Sequence, residues 1–466
     1  TRMTRRTQMT RRRSGTEALR SGLALLGLAF AAPGTAAAQS EPVYAIENVT
    51  VIPMSREGAL SGQTVVVRGQ RIAEVGPAGG VRVPAGATRI DGRGKFLIPG
   101  LAEMHAHVPP GAQVSDEEIL RVLELYAVTG VTSVRGMLGH PRHLAFRDRA
   151  NRGEILSPRI WTSGPSFTGQ TAPTPDSAAR RVRAEKVMGY DFLKIHPGVS
   201  REAFDSLAAA ADRAGIRFAG HVPAAVGLAR ALEAKYWSID HIDGFVEAMA
   251  REGAPAQAGF FGIGLMDHLD ESRIPGLVAA TRQAGVWIVP TMRFLEAMGG
   301  EEPVEQLAGR DDMRYVSEAM VRGWTNATSQ QRSAYGAETR RRFLDLRRRL
   351  LKVLHDGGVG FVLGSDSPQL WNAPGFSLTA ELEVYVAAGL TPWQALATGT
   401  VNVARFLGNA AEAGSIEAGK RADLVLLDAN PLDDIRNVGR RAGVMIGGRW
   451  LSREELTRRL AALALR

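Results

Sequence analysis

Cysteine is absent from this 466-residue sequence. The chain therefore has no disulfide framework, no thiolate nucleophile and no thiolate ligand for a metal ion. Any metal chemistry must depend on lysine, carboxylate and histidine side chains, and the sequence contains nine histidines. The G-x-S-x-G motif is also missing, which argues against a serine nucleophile of the α/β-hydrolase type.

A hydrophobic run long enough to span a membrane is missing as well. The apolar run near the N-terminus, SGLALLGLAFAA, has twelve residues, too few to cross a bilayer core about 30 Å thick. Basic residues precede this run and small residues follow it, which is the pattern of a secretory signal peptide over residues 1–38. We expect a periplasmic or secreted protein with no stable membrane anchor after cleavage.

The formal net charge of +9 does not indicate a nucleic-acid-binding protein. Residues 1–40 hold seven Arg and one Glu, so the charge falls by 6, to +3, without them. Two arginine triplets occur in ETRRRFLDLRRRLLKVLHDGG, but apolar Phe343, Leu346, Leu350 and Leu354 recur at helical spacing. This spacing favours a solvated amphipathic helix. We expect a small-molecule substrate and no nucleic-acid partner, and homo-oligomerisation stays open.

The two ends of the chain have similar sequence patterns. Short alternating segments broken by glycine turns fill residues 39–98, and a similar pattern returns in residues 409–466, before a terminal helix. We expect both ends to fold together as one small β-sandwich domain. Residues 99–408 would then form a separate domain inserted between them.

The inserted region alternates strand-like apolar runs with amphipathic helices. Eight runs end in polar residues: FLIPGLAEMHAH, VTSVRGM, RIWTSGP, YDFLKIH, IRFAGHV, YWSIDHI, VWIVPTM and VGFVLGSD. Eight βα units over about 300 residues predict an α/β fold, a (β/α)8 TIM barrel. A doubly wound open sheet is the second candidate, but no glycine-rich phosphate-binding sequence follows an early strand.

The polar residues at the ends of these runs are of metal-ligating types. His105 and His107 are two residues apart, so on a strand they face the same side and can bind one ion together. The carboxyl ends of barrel strands meet at one mouth, where this fold places its chemistry. The candidate metal ligands at that mouth are His105, His107, Lys194, His221, His241 and Asp366.

With LIPGLAEMHAH, FLKIH, FAGH, SIDH and LGSD, the chain resembles the amidohydrolase superfamily. It is most similar to the two-metal branch with a lysine on strand four, which includes imidazolonepropionase- and prolidase-like hydrolases. The resemblance implies that His105, His107 and Asp366 bind the more buried ion. It also implies that His221 and His241 bind the more exposed ion.

The resemblance further implies two divalent ions and a carbamylated lysine. Lys194 would react with carbon dioxide to form a carbamate that bridges both ions. Zinc suits the histidine-rich site, although manganese or cobalt could replace it. A metal-bridging hydroxide would attack the substrate, with Asp366 as the catalytic proton shuttle.

From this resemblance we expect a hydrolase that cleaves the amide bond of dipeptides or N-acyl amino acids, and the predicted signal peptide implies that it is exported. Lactones and phosphotriesters are alternative substrates for the same kind of site. The alternative from another class is a metal-bound barrel without catalytic activity that serves as a binding scaffold.

Four further residues are candidates for roles beside the metals. His196 lies two residues after Lys194, so it should face the same cavity as a catalytic or substrate-binding group. Arg293, after the seventh run, could bind a substrate carboxylate, and Trp371 could line the pocket. The role of Arg135 is open, because Gly136 stands where many relatives carry an aspartate. The insertion between the seventh and eighth runs is a candidate lid, on the basis of its position alone.

Overall fold

The computed structural model describes residues 41–466. The predicted signal peptide, residues 1–38, lies outside the described residues, as do the first two residues of the predicted domain 39–98. Between residues 41 and 466, no helix combines the length and the apolar composition needed to cross a membrane.

The β-strands are short and fall into three groups along the chain. They are β1 (Val43–Val51), β2 (Leu60–Arg68), β3 (Arg71–Pro77), β4 (Thr88–Asp91), β5 (Phe96–Pro99), β6 (Leu101–Ala106), β7 (Val131–Gly136), β8 (Arg159–Thr162), β9 (Phe192–Ile195), β10 (Arg217–Gly220), β11 (Ser238–Asp240), β12 (Trp287–Val289), β13 (Leu424–Leu427), β14 (Arg441–Ile446) and β15 (Arg449–Ser452).

Helices alternate with the strands of the middle group. They are α1 (Asp116–Val128), α2 (Pro141–Asn151), α3 (Pro175–Met188), α4 (Arg201–Ala214), α5 (Gly227–Glu233), α6 (Phe245–Ala248), α7 (Ile274–Ala284), α8 (Met292–Gly299), α9 (Val304–Ala308), α10 (Glu318–Ala334), α11 (Ala337–Asp356), α12 (Phe376–Ala387), α13 (Pro392–Thr398), α14 (Val401–Leu407) and α15 (Arg453–Leu463).

Strands from both ends of the chain form one sheet of eight strands. Their order is β15-β14-β13-β5-β1-β2-β3, with β4 paired to β1. The two ends meet where β5 and β13 pair antiparallel, with Leu97 opposite Leu426. Buried Val49, Val65 and Met445 join these leucines in one hydrophobic cluster. Strands from the two ends of the chain are therefore paired in one eight-stranded sheet, whereas the sequence predicted a β-sandwich.

The middle strands form two parallel sheets, β6-β7-β8 and β12-β11-β10-β9. Isolated parallel bridges link β8 to β9, at Ser163 with Phe192 and Phe167 with Ile195. The eighth predicted run is irregular and is not assigned as a strand, although Phe361 forms a parallel bridge to Ile288 of β12. The described residues thus form a mixed α/β fold in which all middle strands are parallel.

Local sequence explains how the chain returns between parallel strands. Helix α4 begins where the Ser200 side chain accepts a hydrogen bond from the backbone N–H of Ala203. It ends at Gly215, whose φ of 59° is readily available to glycine. Phe204 and Leu207 on the same face are buried in the main core. This capped amphipathic helix leads into β10 and leaves its carboxyl end beside that of β9.

Candidate metal centre and active site

The carboxyl ends of the middle strands bring the predicted ligands together. His105 lies within β6 and Lys194 within β9, while His221 and His241 follow β10 and β11 directly. Asp366 ends the irregular eighth run, whose last residues run parallel to β6 through a bridge between Ser367 and Ala106. Because the strands are parallel, these ends lie at one edge, as the sequence predicted.

Short distances connect the candidate ligands. Asp366 Oδ1 lies 3.0 Å from His107 Nε2 and 3.4 Å from His105 Nε2. Lys194 Nζ lies 3.5 Å from His105 Nε2. The His241 ring centroid lies 4.7 Å from that of His105 and 4.6 Å from that of His221. All six candidates therefore belong to one contiguous cluster.

The donor atoms of this cluster fit a metal ion. Ligand atoms of His105, His241 and Asp366 all lie within 4.8 Å of one another, and all three residues are buried. Within residues 41–466, His107 Nε2 and Asp366 Oδ1 are buried without an aligned hydrogen bond. Such unpaired buried atoms are costly unless something else binds them. Histidine and carboxylate are common ligands of zinc and similar divalent ions.

Neighbouring groups determine which ring nitrogen of two histidines faces the cavity. Thr291 Oγ1 donates its hydrogen to Pro290 O at 2.8 Å, so it accepts a hydrogen bond from His241 Nδ1 at 2.6 Å. His221 Nδ1 donates to Asp243 Oδ2 at 3.1 Å. Both rings therefore keep Nε2 available for a metal ion, which is the arrangement that outer partners commonly impose on metal-binding histidines.

Asp240 connects the cluster to an arginine in the interior. Its carboxylate accepts a hydrogen bond from Lys194 Nζ at 3.0 Å and lies 3.3 Å from His105 Nδ1. Arg135 donates to the same carboxylate at 3.3 Å, and to Ser238 Oγ and Met104 O. The sequence left the role of Arg135 open; the structure shows an interior ion pair formed with Asp240.

Burial shapes the protonation of the cluster. It lowers the pKa of His105 and of His241, so both rings are neutral, the form in which imidazole binds metals. Burial also lowers the pKa of Lys194, and the nearby Asp240 carboxylate opposes that shift. The pKa of His196 is lowered to about 2, first by burial and then by the Lys194 charge.

The backbone of the site is strained at several non-glycine residues. His241, Thr291 and Asp366 have φ values of 62°, 47° and 68°. This left-handed conformation costs roughly 1–2 kcal/mol for an ordinary residue. Arg347, from α11, is fully buried and donates to the carbonyl oxygen of His241. Tertiary contacts of this kind support strained residues, which concentrate at functional sites.

A buried carboxylate ties the first and eighth runs together. Glu103 accepts hydrogen bonds from the backbone N–H groups of His105, at 3.0 Å, and Ser365, at 2.9 Å. Burial raises the pKa of Glu103 to about 8, and these hydrogen bonds oppose that shift. Glu103 therefore fixes the position of His105 relative to the chain that carries Asp366.

The cluster lies at the base of a cavity of about 960 Å³. His105, His107, His221, His241 and Asp366 line it, and Lys194 lies beneath them with no exposed surface. His196 also lines this cavity, with its ring centroid 5.0 Å from that of His221. The structure therefore brings His196 to the place that the sequence predicted.

Arg293 and Trp371 do not line this cavity. Both line a second cavity of about 650 Å³, together with Arg310 and Asp312. Trp371 is fully buried, and its indole N–H donates to Thr328 Oγ1 at 2.8 Å. Their positions thus do not support the expected contact of Arg293 and Trp371 with substrate, because both line the second cavity and Trp371 has no exposed surface.

The segment that covers the cavity follows β11, whereas the sequence indicated the insertion after the seventh run. Residues 247–265 supply much of the wall. From the insertion after β12, Phe294 of α8 is the one contributor among the described lining residues. The insertion folds as α8, α9, α10 and most of α11, so its position after the seventh run did not by itself make it the wall of this cavity.

Sequence reasoning missed the residues that support the ligands. Asp240 and Asp243 flank His241 in the stretch SIDHID, and this local pattern could have indicated them. Thr291 and Arg347 carry no such signal, because they reach His241 from 50 and 106 residues away. Supporting residues of this kind often affect metal affinity nearly as strongly as the ligands do.

Comparison with known proteins agrees with this geometry. The amidohydrolase family pattern matches residues 96–451. An imidazolonepropionase of Rubrobacter xylanophilus is 28% identical over 393 residues, covering 79% of this chain and 85% of that protein.

Two solved structures share the fold. One, from Bifidobacterium longum and described as a prolidase, has a TM-score of 0.66 and 25% identity, covering 91% of this chain and 99% of that one. A bottromycin amidohydrolase has a TM-score of 0.69 and 24% identity, covering 91% of each chain. Because the family pattern matches most of the sequence, this chain belongs to the amidohydrolase family and is a hydrolase that acts on carbon–nitrogen bonds.

Proposed function

We propose that this protein is an exported two-metal hydrolase that cleaves the amide bond of dipeptides or N-acyl amino acids. One observation carries the proposal: His107 Nε2 and Asp366 Oδ1 are buried without an aligned hydrogen bond among the described residues, and His105 Nε2 lies 3.4 Å from the same Asp366 oxygen. His221 and His241 lie beside them. The N-terminal sequence pattern supports export, and the likeness to a prolidase supports a peptide-like substrate.

The fold that best accounts for this convergence is a (β/α)8 barrel. Strands β6 to β12 would supply seven barrel strands, and the irregular run at 359–366 would supply the eighth. The backbone N–H of Val362 donates to Ile288 O at 3.0 Å, and that of Met104 donates to Leu363 O at 2.8 Å. These bonds support closure, because they connect the eighth run to β12 on one side and to β6 on the other.

Two divalent ions would be held by the predicted ligand set. His105, His107 and Asp366 would bind one ion, and His221 and His241 the other. Ions at such a site lower the pKa of bound water and polarise the scissile carbonyl. The histidine-rich donors favour zinc, with manganese or cobalt as replacements.

Lys194 would complete the site as a carbamate. Its amine would add to carbon dioxide, forming an N–C bond and releasing a proton, so a cation would become an anion with two oxygen donors. Lys194 Nζ lies 3.5 Å from His105 Nε2, and Lys194 is fully buried. A positively charged ammonium at that position would repel metal ions, which is the physical argument for the modification.

The chain's own residues would then move the proton and orient the substrate. Asp366 would accept a proton from the attacking water and deliver it to the leaving amine. Gln369 Nε2 lies 3.4 Å from Asp366 Oδ2 and would limit the rotation of this carboxylate. His196 lines the cavity beside His221, where its ring could donate to the substrate carbonyl.

Metal analysis and a substrate panel test this proposal together. We expect two zinc, manganese or cobalt ions per active chain, and hydrolysis of dipeptides or N-acyl amino acids after zinc is added. The panel includes lactones and phosphotriesters at matched concentrations. Faster turnover of either of these, or full activity with one metal or none, would contradict the proposal.

A further inference from the structure

An aromatic wall stands over the histidines of the cavity. The Phe261 ring centroid lies 5.2 Å from that of His241, and the Phe294 centroid lies 5.7 Å from it. Phe260 packs edge-on against Phe261 at 4.7 Å. Phe260 and Phe261 are partly exposed toward the cavity, whereas Phe294 is buried. A substrate bound near His241 would therefore meet phenyl rings directly.

The loop that carries Phe260 and Phe261 packs tightly against its neighbours. Phe261 has a φ of 52°, and Gly262 follows with a φ of 86°. A Cβ atom at Gly262 would lie 2.6 Å from Val246 Cβ, and one at Gly259 would collide with the Tyr335 hydroxyl. A bulky residue in a left-handed conformation is unusual, and such strain is found where the surrounding structure holds a side chain in a functional position.

The rest of the wall is also largely apolar. Apolar residues that line the cavity near the phenylalanines include Val222, Leu228, Ala254, Pro255 and Leu265. Besides Asp366, two carboxylates line the cavity, Asp243 and Glu247. Asp243 already accepts hydrogen bonds from His221 and from the Val222 backbone. Glu247 is therefore the one lining carboxylate near this wall that could attract a basic side chain instead.

We propose that this enzyme selects amides with a bulky aromatic or branched aliphatic side chain next to the scissile bond, and that Phe261 determines this preference. The inference rests on the proposed amide hydrolysis and adds the substrate class. Apolar side chains leave water when they pack against the phenyl rings. Small or charged side chains gain little from such a wall, so the cavity favours large apolar substrates.

The test uses two dipeptide series, X-Gly and Gly-X, in which X is Phe, Leu, Ala, Gly or Lys. The zinc-loaded wild-type protein should cleave the Phe and Leu members of one series at least about tenfold faster, in kcat/KM, than the Gly member. Phe261→Ala should reduce the ratio of kcat/KM between the Phe and Gly members of that series by about tenfold. Phe261→Leu, which keeps apolar volume, should lose less.

Phe376→Leu is the matched control, because Phe376 stacks on Tyr315 at 4.8 Å and does not line this cavity. It should leave the preference unchanged. Metal content, measured for each variant, shows that the site is intact. Equal rates for all X, or a preference for Lys, would overturn the inference and leave amide hydrolysis standing. Hydrolysis of no amide in a wider panel would overturn both.

Discussion

Two cavities adjoin the loops after β12 and the eighth run, and consecutive residues of α8 line different ones. Phe294 lines the histidine-rich cavity, while Arg293 lines the second. In the first cavity, the ligand atoms His107 Nε2 and Asp366 Oδ1 lie 3.0 Å apart, and neither has an aligned hydrogen bond among the described residues. In the second, acidic and basic side chains largely compensate each other: Arg348 pairs with Glu296 and Arg310 with Asp312.

A position just after a strand therefore does not decide which cavity a side chain lines. Successive residues of a helix point about 100° apart, so one faces the mouth and the next faces away. Unpaired ligand atoms distinguish the metal centre from a merely charged cavity.

Asp366→Asn should abolish most turnover while the fold is kept. The amide is nearly isosteric, but it cannot accept the proton from water, so kcat should fall about 10²- to 10⁴-fold in excess zinc. Asp312→Asn in the second cavity is the control and should keep nearly full activity. A fully metallated Asp366→Asn variant with parental turnover would show that another group moves the proton, and His196 would be tested next.

Lys194→Ala should lose one of the two metal ions and most of the activity. The truncated side chain leaves Asp240 without its 3.0 Å partner and removes the proposed bridging group. Short carboxylic acids that replace the carbamate should restore part of both metal content and activity. Elemental analysis with and without such an acid is the measurement, and full metal content in an active variant would make Lys194 purely structural.

Arg347→Met should weaken both stability and metal binding. Removing the guanidinium leaves the buried carbonyl of His241 without its donor, which costs about 1–3 kcal/mol in unfolding free energy. Arg348→Met, the next residue on α11, breaks a partly exposed pair with Glu296 and should cost only about 0–1 kcal/mol. Denaturant unfolding and zinc titration of the two variants test the difference; equal losses would contradict it.

Arg293→Gln should have the smallest effect on catalysis. Its side chain makes no ion pair among residues 41–466 and lines the second cavity, away from the histidines. KM and kcat for the best amide substrate should therefore stay within about twofold, the range of a substitution outside the site. A tenfold rise in KM alone would support the carboxylate-binding role that the sequence indicated. It would also show that a residue of the second cavity contributes to substrate binding.

The amino-acid sequence by itself indicated the elements and the ligand types. The spacing of His105 and His107, the alternation of apolar runs with capped helices and the polar ends of those runs are local properties. Such local patterns predict side-chain positions correctly because successive side chains of a strand always point to opposite faces. Both chain ends have short alternating segments broken by glycine turns, and this shared pattern predicted that they meet, as β5 and β13 do.

Contacts between residues far apart in the sequence depend on three-dimensional packing. The partner of Arg135 is Asp240, 105 positions away, and the buried support of His241 comes from Arg347 in a helix whose pattern indicated a solvated face. The wall over the histidines comes from the segment after β11, although the insertion after β12 is longer. Such contacts depend on how helices and loops pack in three dimensions, and no short-range period in the sequence encodes that packing.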